Sequence, residues 1–259
     1  MTTTWDPALY LRFDDHRSRP FHDLLARIGA PGSGAGAPRH VVDAGCGPGH
    51  LTEVLARRWP NARVTAFDSS AEMVAAARER GVDAERRDAV DWAPAGDVDV
   101  VVTNAVLQWV PGHLDLLPRW LAALPPGGWL ALQVPGNLEA PSHALVRELA
   151  EEPAWRGRIG LRDGTAVPGP AGYADVLAGA GADVDAWETT YLHRLTGPDP
   201  VLTWISGTAL RPVRDALAPQ EYERFRTELA PRLRAAYPGR PDGTTWFPFR
   251  RVFAVARTR

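Results

Sequence analysis

Three glycines and an aspartate stand close together where an apolar run breaks into a loop. Asp43 ends the run, and Gly45, Gly47 and Gly49 follow at alternate positions. Glycine has no β-carbon, so each of them can adopt a positive φ and leave bare backbone against which a ligand can lie. A carboxylate so near the loop would repel a pyrophosphate. The residue types therefore predict a nucleoside-bearing ligand that also carries a cationic part.

Acidic or amide side chains follow three later β-rich runs in the same way. They are Asp68, Asp88 and Asn104. Because the carboxyl ends of parallel strands share one edge of a sheet, we expect these side chains and Asp43 to converge on one crevice. Asp68 lies about one strand-helix-strand unit after the glycines, where an acidic residue commonly holds ribose hydroxyls. S-adenosylmethionine, with its ribose, sulfonium and ammonium groups, has the required chemistry.

The adenine of such a ligand would need a polar edge and an apolar face. Asp88 could accept a hydrogen bond from the adenine amino group, and the backbone N–H of Ala89 could complete the base edge. Met73 would contact the ring. A nicotinamide dinucleotide is the rival ligand, but its Gly-x-Gly-x-x-Gly fingerprint requires a glycine at the position of His50. We therefore rank a dinucleotide oxidoreductase last.

The elements that must position these residues alternate between strands and helices. Strands are predicted over 40–44, 63–67, 83–87, 98–102 and 129–134, and later over 183–195 and 246–257. Helices are predicted after the glycine loop and over 70–80, 113–124, 142–152, 173–180 and 198–236, with a loop over 155–172. Ser69 to Glu72 fits a capping box with Ser69 as the N-cap. Such alternation is typical of an α/β fold with a parallel sheet.

The composition narrows the class of protein. With 259 residues, 45% of them hydrophobic, the chain can bury one full core. A net charge of -2 disfavours nucleic acid as a partner. With Cys46 as the single cysteine and no leader or spanning segment, we expect a cytoplasmic, membrane-free monomer. All 29 basic residues are arginine, so one Arg at a given place carries little information.

The glycine loop, Asp68, Asp88 and the segment 124–130 resemble the class I S-adenosylmethionine-dependent methyltransferases. Over nearly the whole chain the sequence is also similar to the trans-aconitate 2-methyltransferase family, most specifically at 5–20 and 107–109. The Gly/Ala/Pro connector at 31–38 departs from that family, and the segment 238–247 is hard to match to it. The resemblance implies a Rossmann-like sheet, mostly parallel with the last strand antiparallel, and a helical cap.

The resemblance also implies how one methyltransferase domain over 1–259 is divided. It gives an N-terminal lid over 1–30, a cofactor-binding core over 38–137, a cap that holds substrate over 138–240 and a closing strand over 241–259. A helix over 7–20 would place Tyr10, Phe13 and Arg17 on one face, so that this lid could fold over the cofactor. The alternative is an amphipathic helix whose arginines face water.

The implied reaction forms a methyl ester on a carboxylate of trans-aconitate and leaves S-adenosylhomocysteine. A carboxylate with a pKa near ~4 is ionised at neutral pH, so it needs no general base, and we predict no catalytic side chain and no metal. Catalysis would come from aligning the carboxylate oxygen with the methyl group on the sulfonium in a water-poor cavity. Two alternatives remain open: methylation of another small metabolite, which a base such as His143 would favour, and a non-catalytic cofactor-binding module.

Two sets of site residues follow. The cofactor set is Tyr10, Asp43, Ala44, Gly45, Cys46, Gly47, Asp68, Ser69, Met73, Asp88, Ala89, Asn104 and Ala105. The substrate set is Arg17, Arg19, Gln108, Trp109, Gln133, Asn137, His143, Tyr191 and Arg211. Arginine holds carboxylates with paired hydrogen bonds, the amides could donate to carboxylate oxygens, and Trp109 could form a dry wall. A structural role is the alternative for His143, Tyr191 and Arg211.

Overall fold

The structure, a computed structural model, describes residues 14–29, 36–161 and 167–259, with side chains from residue 18 onward. The described residues form two compact units. Unit 1 takes in those within 1–135, 167–188 and 252–259, and unit 2 takes in those within 136–166 and 189–251.

The elements alternate along the first half of the chain. The strands are β1 (His40–Ala44), β2 (Arg63–Asp68), β3 (Ala84–Arg86), β4 (Val100–Asn104), β5 (Trp129–Pro135), β6 (Asp183–Thr196) and β7 (Thr244–Arg257). The helices are α1 (Asp14–Leu25), α2 (Thr52–Arg58), α3 (Ala71–Glu79), α4 (His113–Ala123), α5 (Pro141–Ala150), α6 (Pro170–Gly179), α7 (Pro200–Ser206), α8 (Arg211–Ala216) and α9 (Pro219–Ala236), with a one-turn 3-10 helix over Leu107–Trp109.

Unit 1 is built on a sheet in which β1 to β5 are parallel. They lie in the order β3-β2-β1-β4-β5, and β1 pairs with β2 on one side and with β4 on the other. All five residues of β1 are buried, as expected of a central strand covered on both faces. The chain reverses its direction of winding between β1 and β4, so their carboxyl ends form the switch point where such sheets bind ligands.

The last strand in sequence is antiparallel, which confirms the predicted fold class. In the sheet β7 follows β5, and β6 lies beyond it. Gly127 donates to the carbonyl of Thr258 at 3.1 Å, and Thr258 donates to that of Gly128 at 3.0 Å. These bonds join the start of β5 to the chain just past the end of β7, so the two strands run in opposite directions.

The helices follow from local sequence. In α4 the buried residues recur at helical spacing, with Leu116, Leu117 and Trp120 on one face. The helix ends at Ala123, one residue before the predicted end, because Leu124 precedes a proline and is extended. The Trp120 indole donates to the carbonyl of Trp92 at 3.0 Å, which anchors that face.

Several predicted boundaries were wrong, and the structure gives a reason for two of them. The strand predicted over 98–102 begins at Val100 and reaches Asn104. Asp99 accepts hydrogen bonds from the backbone N–H groups of Arg39 and His40, and Asn104 still pairs with Gln133 of β5. The second boundary is the loop predicted over 155–172, because α6 already begins at Pro170, a residue favoured in the first helical turn.

Unit 2 carries α5, α7, α8 and α9 together with parts of β6 and β7. Aromatic rings fill its core: Trp155 packs edge-on against Phe225 with centroids 5.3 Å apart, and His193 stacks on Trp204 at 4.8 Å. Among the described helices of both units, none is long and apolar enough to cross a membrane.

Candidate active site

The glycine loop sits at the carboxyl end of β1. Gly45, Gly47 and Gly49 have φ values of 86°, 54° and 82°, so the predicted left-handed conformations are confirmed. The backbone N–H groups of Gly45 and Cys46 both donate to the carbonyl of Phe67, at 2.8 and 3.0 Å. The loop is thereby tied to the end of β2, the strand that carries Asp68.

The three glycines have different surroundings. A β-carbon on Gly45 would lie 2.2 Å from Cγ2 of Val106, and one on Gly49 would lie 3.0 Å from the backbone of Ala77. A β-carbon on Gly47 would have no atom of the described residues within 4 Å. Gly45 and Gly49 therefore allow close packing inside the protein, and of the three glycines only Gly47 leaves backbone that no described residue covers.

Asp43 is a buried carboxylate next to this loop, with 3% of its surface exposed. Its Oδ2 accepts a hydrogen bond of 2.6 Å from the hydroxyl of Thr52, in the first turn of α2. Burial raises the pKa of Asp43 to about 7, the Thr52 hydrogen bond opposes that rise, and the negative charge of Asp68 adds to it. A cationic ligand would relieve this unfavourable burial of negative charge.

Asp68 bridges the loop and the next helix. Oδ2 accepts from the backbone N–H of Gly47 at 2.9 Å, and Oδ1 accepts from that of Ser70 at 2.9 Å. Burial raises its pKa, while these backbone donors stabilise the ionised form. Each carboxylate oxygen keeps lone-pair capacity for a further donor such as a ribose hydroxyl.

The capping box predicted with Ser69 was wrong by one residue. Ser70 is the N-cap of α3, and its Oγ accepts from the backbone N–H of Met73 at 3.2 Å. The Ser70 hydroxyl also donates to Glu72 at 2.6 Å. The shift arises because Asp68 binds the Ser70 N–H and so fixes the turn. Ser69 is left exposed.

The predicted adenine contacts lie on the β2 and β3 side of the sheet. Met73 and Ala89 are buried, with 3% and 6% of their surfaces exposed. Asp88 is exposed, two residues after β3, and its Oδ1 accepts from the backbone N–H of Val90 at 3.0 Å. The Asp88 carboxylate is therefore held by its own turn and faces water.

On the other side of β1, the ends of β4 and β5 meet. Ala105 has an uncommon φ of 58°, and its N–H donates to the carbonyl of Gln133 at 2.8 Å. The Gln108 side chain donates to the Ala105 carbonyl at 2.6 Å. The side-chain oxygens of Asn104 and Gln108 are buried and have no hydrogen-bond partner within the described residues. Trp109, the residue after Gln108, is half-buried.

The remaining loop positions, Ala44 and Cys46, are both buried. Burial, with the negative charges of Asp43 and Asp68, raises the pKa of the Cys46 thiol strongly. A thiol so protonated is a weak nucleophile, so Cys46 acts as a small side chain that packs.

Four predicted substrate residues lie in unit 2. Both ends of the Asn137 amide bind the backbone of Arg250, at 2.8 and 2.9 Å, so one N–H of the amide remains. His143 contacts the Ser142 hydroxyl at 3.0 Å, and burial and the charge of Arg147 lower its pKa to about 4. With that pKa, His143 is neutral at pH 7. Tyr191 and Arg211 are buried.

The structure describes only some of the site residues predicted near the N-terminus. Tyr10 lies outside the described residues, and for Arg17 the structure describes the backbone, in α1, but not the side chain. Arg19 is exposed on α1. Among the described residues no group of His, Cys, Asp or Glu has the arrangement of a metal site.

Two site residues were not predicted. Thr52 donates to Asp43, and Ser70 is held by Asp68. The sequence offered one signal for Thr52, its position three residues after the last loop glycine. A helix that follows a strand and a short loop has its first turn close to the end of that strand. Nothing in the sequence distinguished Ser70 from Ser69.

The sequence is similar to known methyltransferases. A family model described as a methyltransferase domain matches residues 13–162. The chain is 59% identical to a trans-aconitate 2-methyltransferase of Rhodococcus jostii (strain RHA1), covering 98% of this chain and 100% of that one. It is 60% identical to one of Mycobacterium sp. (strain KMS), covering 98% and 99%.

A solved structure shares the fold. It is phosphoethanolamine N-methyltransferase 2 of Haemonchus contortus in complex with S-adenosyl-L-methionine, with a TM-score of 0.55 and 17% identity, covering 93% of this chain and 53% of that one. At that identity the likeness concerns the fold alone. The family model and the relatives that are similar over nearly their full length identify the family. The chain belongs to the S-adenosylmethionine-dependent methyltransferase family that includes the trans-aconitate 2-methyltransferases.

Proposed function

We propose that the protein transfers a methyl group from S-adenosylmethionine to a carboxylate of trans-aconitate and forms a methyl ester. The observation that carries the proposal is identity of 59–60% over nearly the full length of two trans-aconitate 2-methyltransferases. The cofactor supplies a methyl group activated by a positively charged sulfur. The protein has to bind it, align the acceptor and exclude water.

The residues at the carboxyl edge of the sheet fit this cofactor. Among the described residues, none covers the Gly47 backbone, and the buried Asp43 carboxylate has Thr52 as its single hydrogen-bond donor. We assign the cationic part of the cofactor to Asp43 and the ribose to Asp68 with Ser69. The adenine is assigned to Met73, Asp88 and Ala89. The remaining contacts would come from Tyr10, Ala44, Gly45, Cys46, Asn104 and Ala105.

The acceptor needs little chemical help from the protein. A carboxylate is the nucleophile in its ordinary ionisation state at pH 7, so no general base is required. His143, the base that would favour methylation of a hydroxyl or amine, has a pKa lowered to about 4 and is a weak base at neutral pH. This supports a positioning mechanism over general-base catalysis.

The remaining carboxylates of the acceptor would be held by arginine. We assign this role to Arg17, Arg19 and Arg211, whose planar guanidinium groups bind carboxylates through paired hydrogen bonds. Gln108, Trp109, Gln133, Asn137, His143 and Tyr191 complete the proposed substrate set. A monomeric state, a cytoplasmic location and the absence of nucleic-acid partners also stay predictions.

Methyl transfer from labelled cofactor to a panel of acceptors tests the proposal. We expect label in trans-aconitate well above that in other di- and tricarboxylic acids, and none in neutral alcohols or amines. The product should lose its label in mild alkali, because methyl esters hydrolyse there and methyl ethers or methylamines do not. Label only in neutral acceptors, or an alkali-stable product, would contradict the proposal. Cofactor binding without turnover on any acid would favour a non-catalytic module.

A further inference from the structure

Thr52 makes a short hydrogen bond inside unit 1. Its hydroxyl donates to Oδ2 of Asp43 at 2.6 Å, and the two residues are only 2% and 3% exposed. Thr52 is the first residue of α2, and Asp43 lies in β1, so this bond spans the glycine loop from its one end to the other. Among the described residues it is the single hydrogen bond that the Asp43 carboxylate accepts.

The groups around Asp43 explain why the hydrogen bond from Thr52 matters for the ionisation of this carboxylate. Asp68 from β2 adds negative charge, the Cys46 thiol of the loop is uncharged, and Val102, the β4 neighbour, is apolar. Within the described residues, no arginine forms an ion pair with Asp43. Burial raises the pKa of Asp43 to about 7, and the Thr52 hydroxyl opposes this rise. Among the described residues, Thr52 is thus the one neighbour that stabilises the ionised carboxylate.

We propose that Thr52 is a positioning residue, whose hydroxyl fixes the Asp43 carboxylate toward the cationic part of the cofactor. The proposal rests on the function proposed above, since it requires the loop to bind S-adenosylmethionine. Thr52 contacts Asp43 and acts through it. A β-branched side chain at the start of α2 has few rotamers, which suits it to holding one orientation of the carboxylate.

Thr52→Val should weaken binding of S-adenosylmethionine roughly tenfold at pH 7, because it removes a hydrogen bond to a charged group and keeps the side-chain shape. Thr52→Ser should bind about as tightly as the wild type. Titration calorimetry without acceptor measures both, so turnover is not needed. Thermal unfolding of each free variant shows whether it is folded.

The pH dependence separates positioning from a general structural role. Wild-type affinity for the cofactor should rise as pH increases through about 7, because the ionised carboxylate attracts a cation. In Thr52→Val the midpoint should move to higher pH, since the ionised form has lost its donor. In Thr52→Ser it should stay in place. Weaker binding with an unmoved midpoint would contradict the proposal.

Two controls sharpen the test. Thr103→Val removes another buried hydroxyl, one without a hydrogen-bond partner in the described residues, and should leave the dissociation constant unchanged. In an Asp43→Asn background, Thr52→Val should shift neither affinity nor midpoint further. If the wild type does not bind S-adenosylmethionine, the proposed function fails. If the wild type binds and Thr52→Val matches it in affinity and midpoint, only the role of Thr52 is overturned.

Discussion

Asp68→Ala should raise the dissociation constant for S-adenosylmethionine by about a hundredfold or more. The carboxylate is assigned two ribose hydroxyls, and hydrogen bonds to a charged group contribute roughly 1.5–3 kcal/mol each. The substitution also frees the backbone N–H groups of Gly47 and Ser70, which Asp68 holds at 2.9 Å. The loop would then lose its bond at Gly47 as well as its ligand contact, although Gly45 and Cys46 still bind the Phe67 carbonyl. Titration calorimetry with the cofactor measures the change.

Glu85→Ala is the matched control for Asp68→Ala. Glu85 is an exposed acid on β3, and it lies beside Phe67 in the register of the sheet. Its removal changes the local charge equally but takes away no proposed contact, so affinity should stay within about twofold of the wild type. Equal losses in the two variants would show that charge alone matters and that Asp68 does not hold the ribose.

Gly45→Ala should destabilise the free protein by about 2–5 kcal/mol. A non-glycine residue in the left-handed region costs roughly 1–2 kcal/mol. The new β-carbon would also lie 2.2 Å from Cγ2 of Val106, and overpacking of this kind costs about 1–3 kcal/mol. Urea unfolding followed by circular dichroism gives the free energy of unfolding for comparison with the wild type.

Gly81→Ala separates the two causes of that loss. Gly81 has nearly the same φ, 82°, but a β-carbon there would have no atom of the described part of the chain within 4 Å. It should therefore cost only the roughly 1–2 kcal/mol of backbone strain. Adding Val106→Ala to Gly45→Ala should recover part of the stability, because it removes the two Val106 methyl groups nearest the new β-carbon. If Gly45→Ala were no more costly than Gly81→Ala, the packing explanation would be wrong.

Much of the fold in unit 1 could be predicted because its strands are short apolar runs that end in polar residues. β1 matches its predicted bounds, and β2 and α4 differ from theirs by one residue. Two of the errors occur where a side chain binds backbone elsewhere. Asp99 accepts from Arg39 and His40, and Asp68 accepts from Ser70; no local pattern encodes such tertiary bonds.

For the candidate site, the sequence could predict which strand ends carry the site residues, but not their contacts. The parallel sheet places the residues at the ends of β1, β2 and β4 on one edge, as expected from topology. The sequence could not separate the packing role of Gly45 from the open side of Gly47, because that difference depends on where Val106 lies. It also could not show that Asn137 binds the Arg250 backbone across 113 residues.

A crystal structure with S-adenosylhomocysteine tests the proposed cofactor site most directly. We expect the ribose hydroxyls within hydrogen-bond distance of Asp68, the adenine against Met73 and Ala89, and the amino group on the side of Asp43. A nucleoside bound away from the loop at 45–49, or bound there with its ribose out of reach of Asp68, would contradict the assignment.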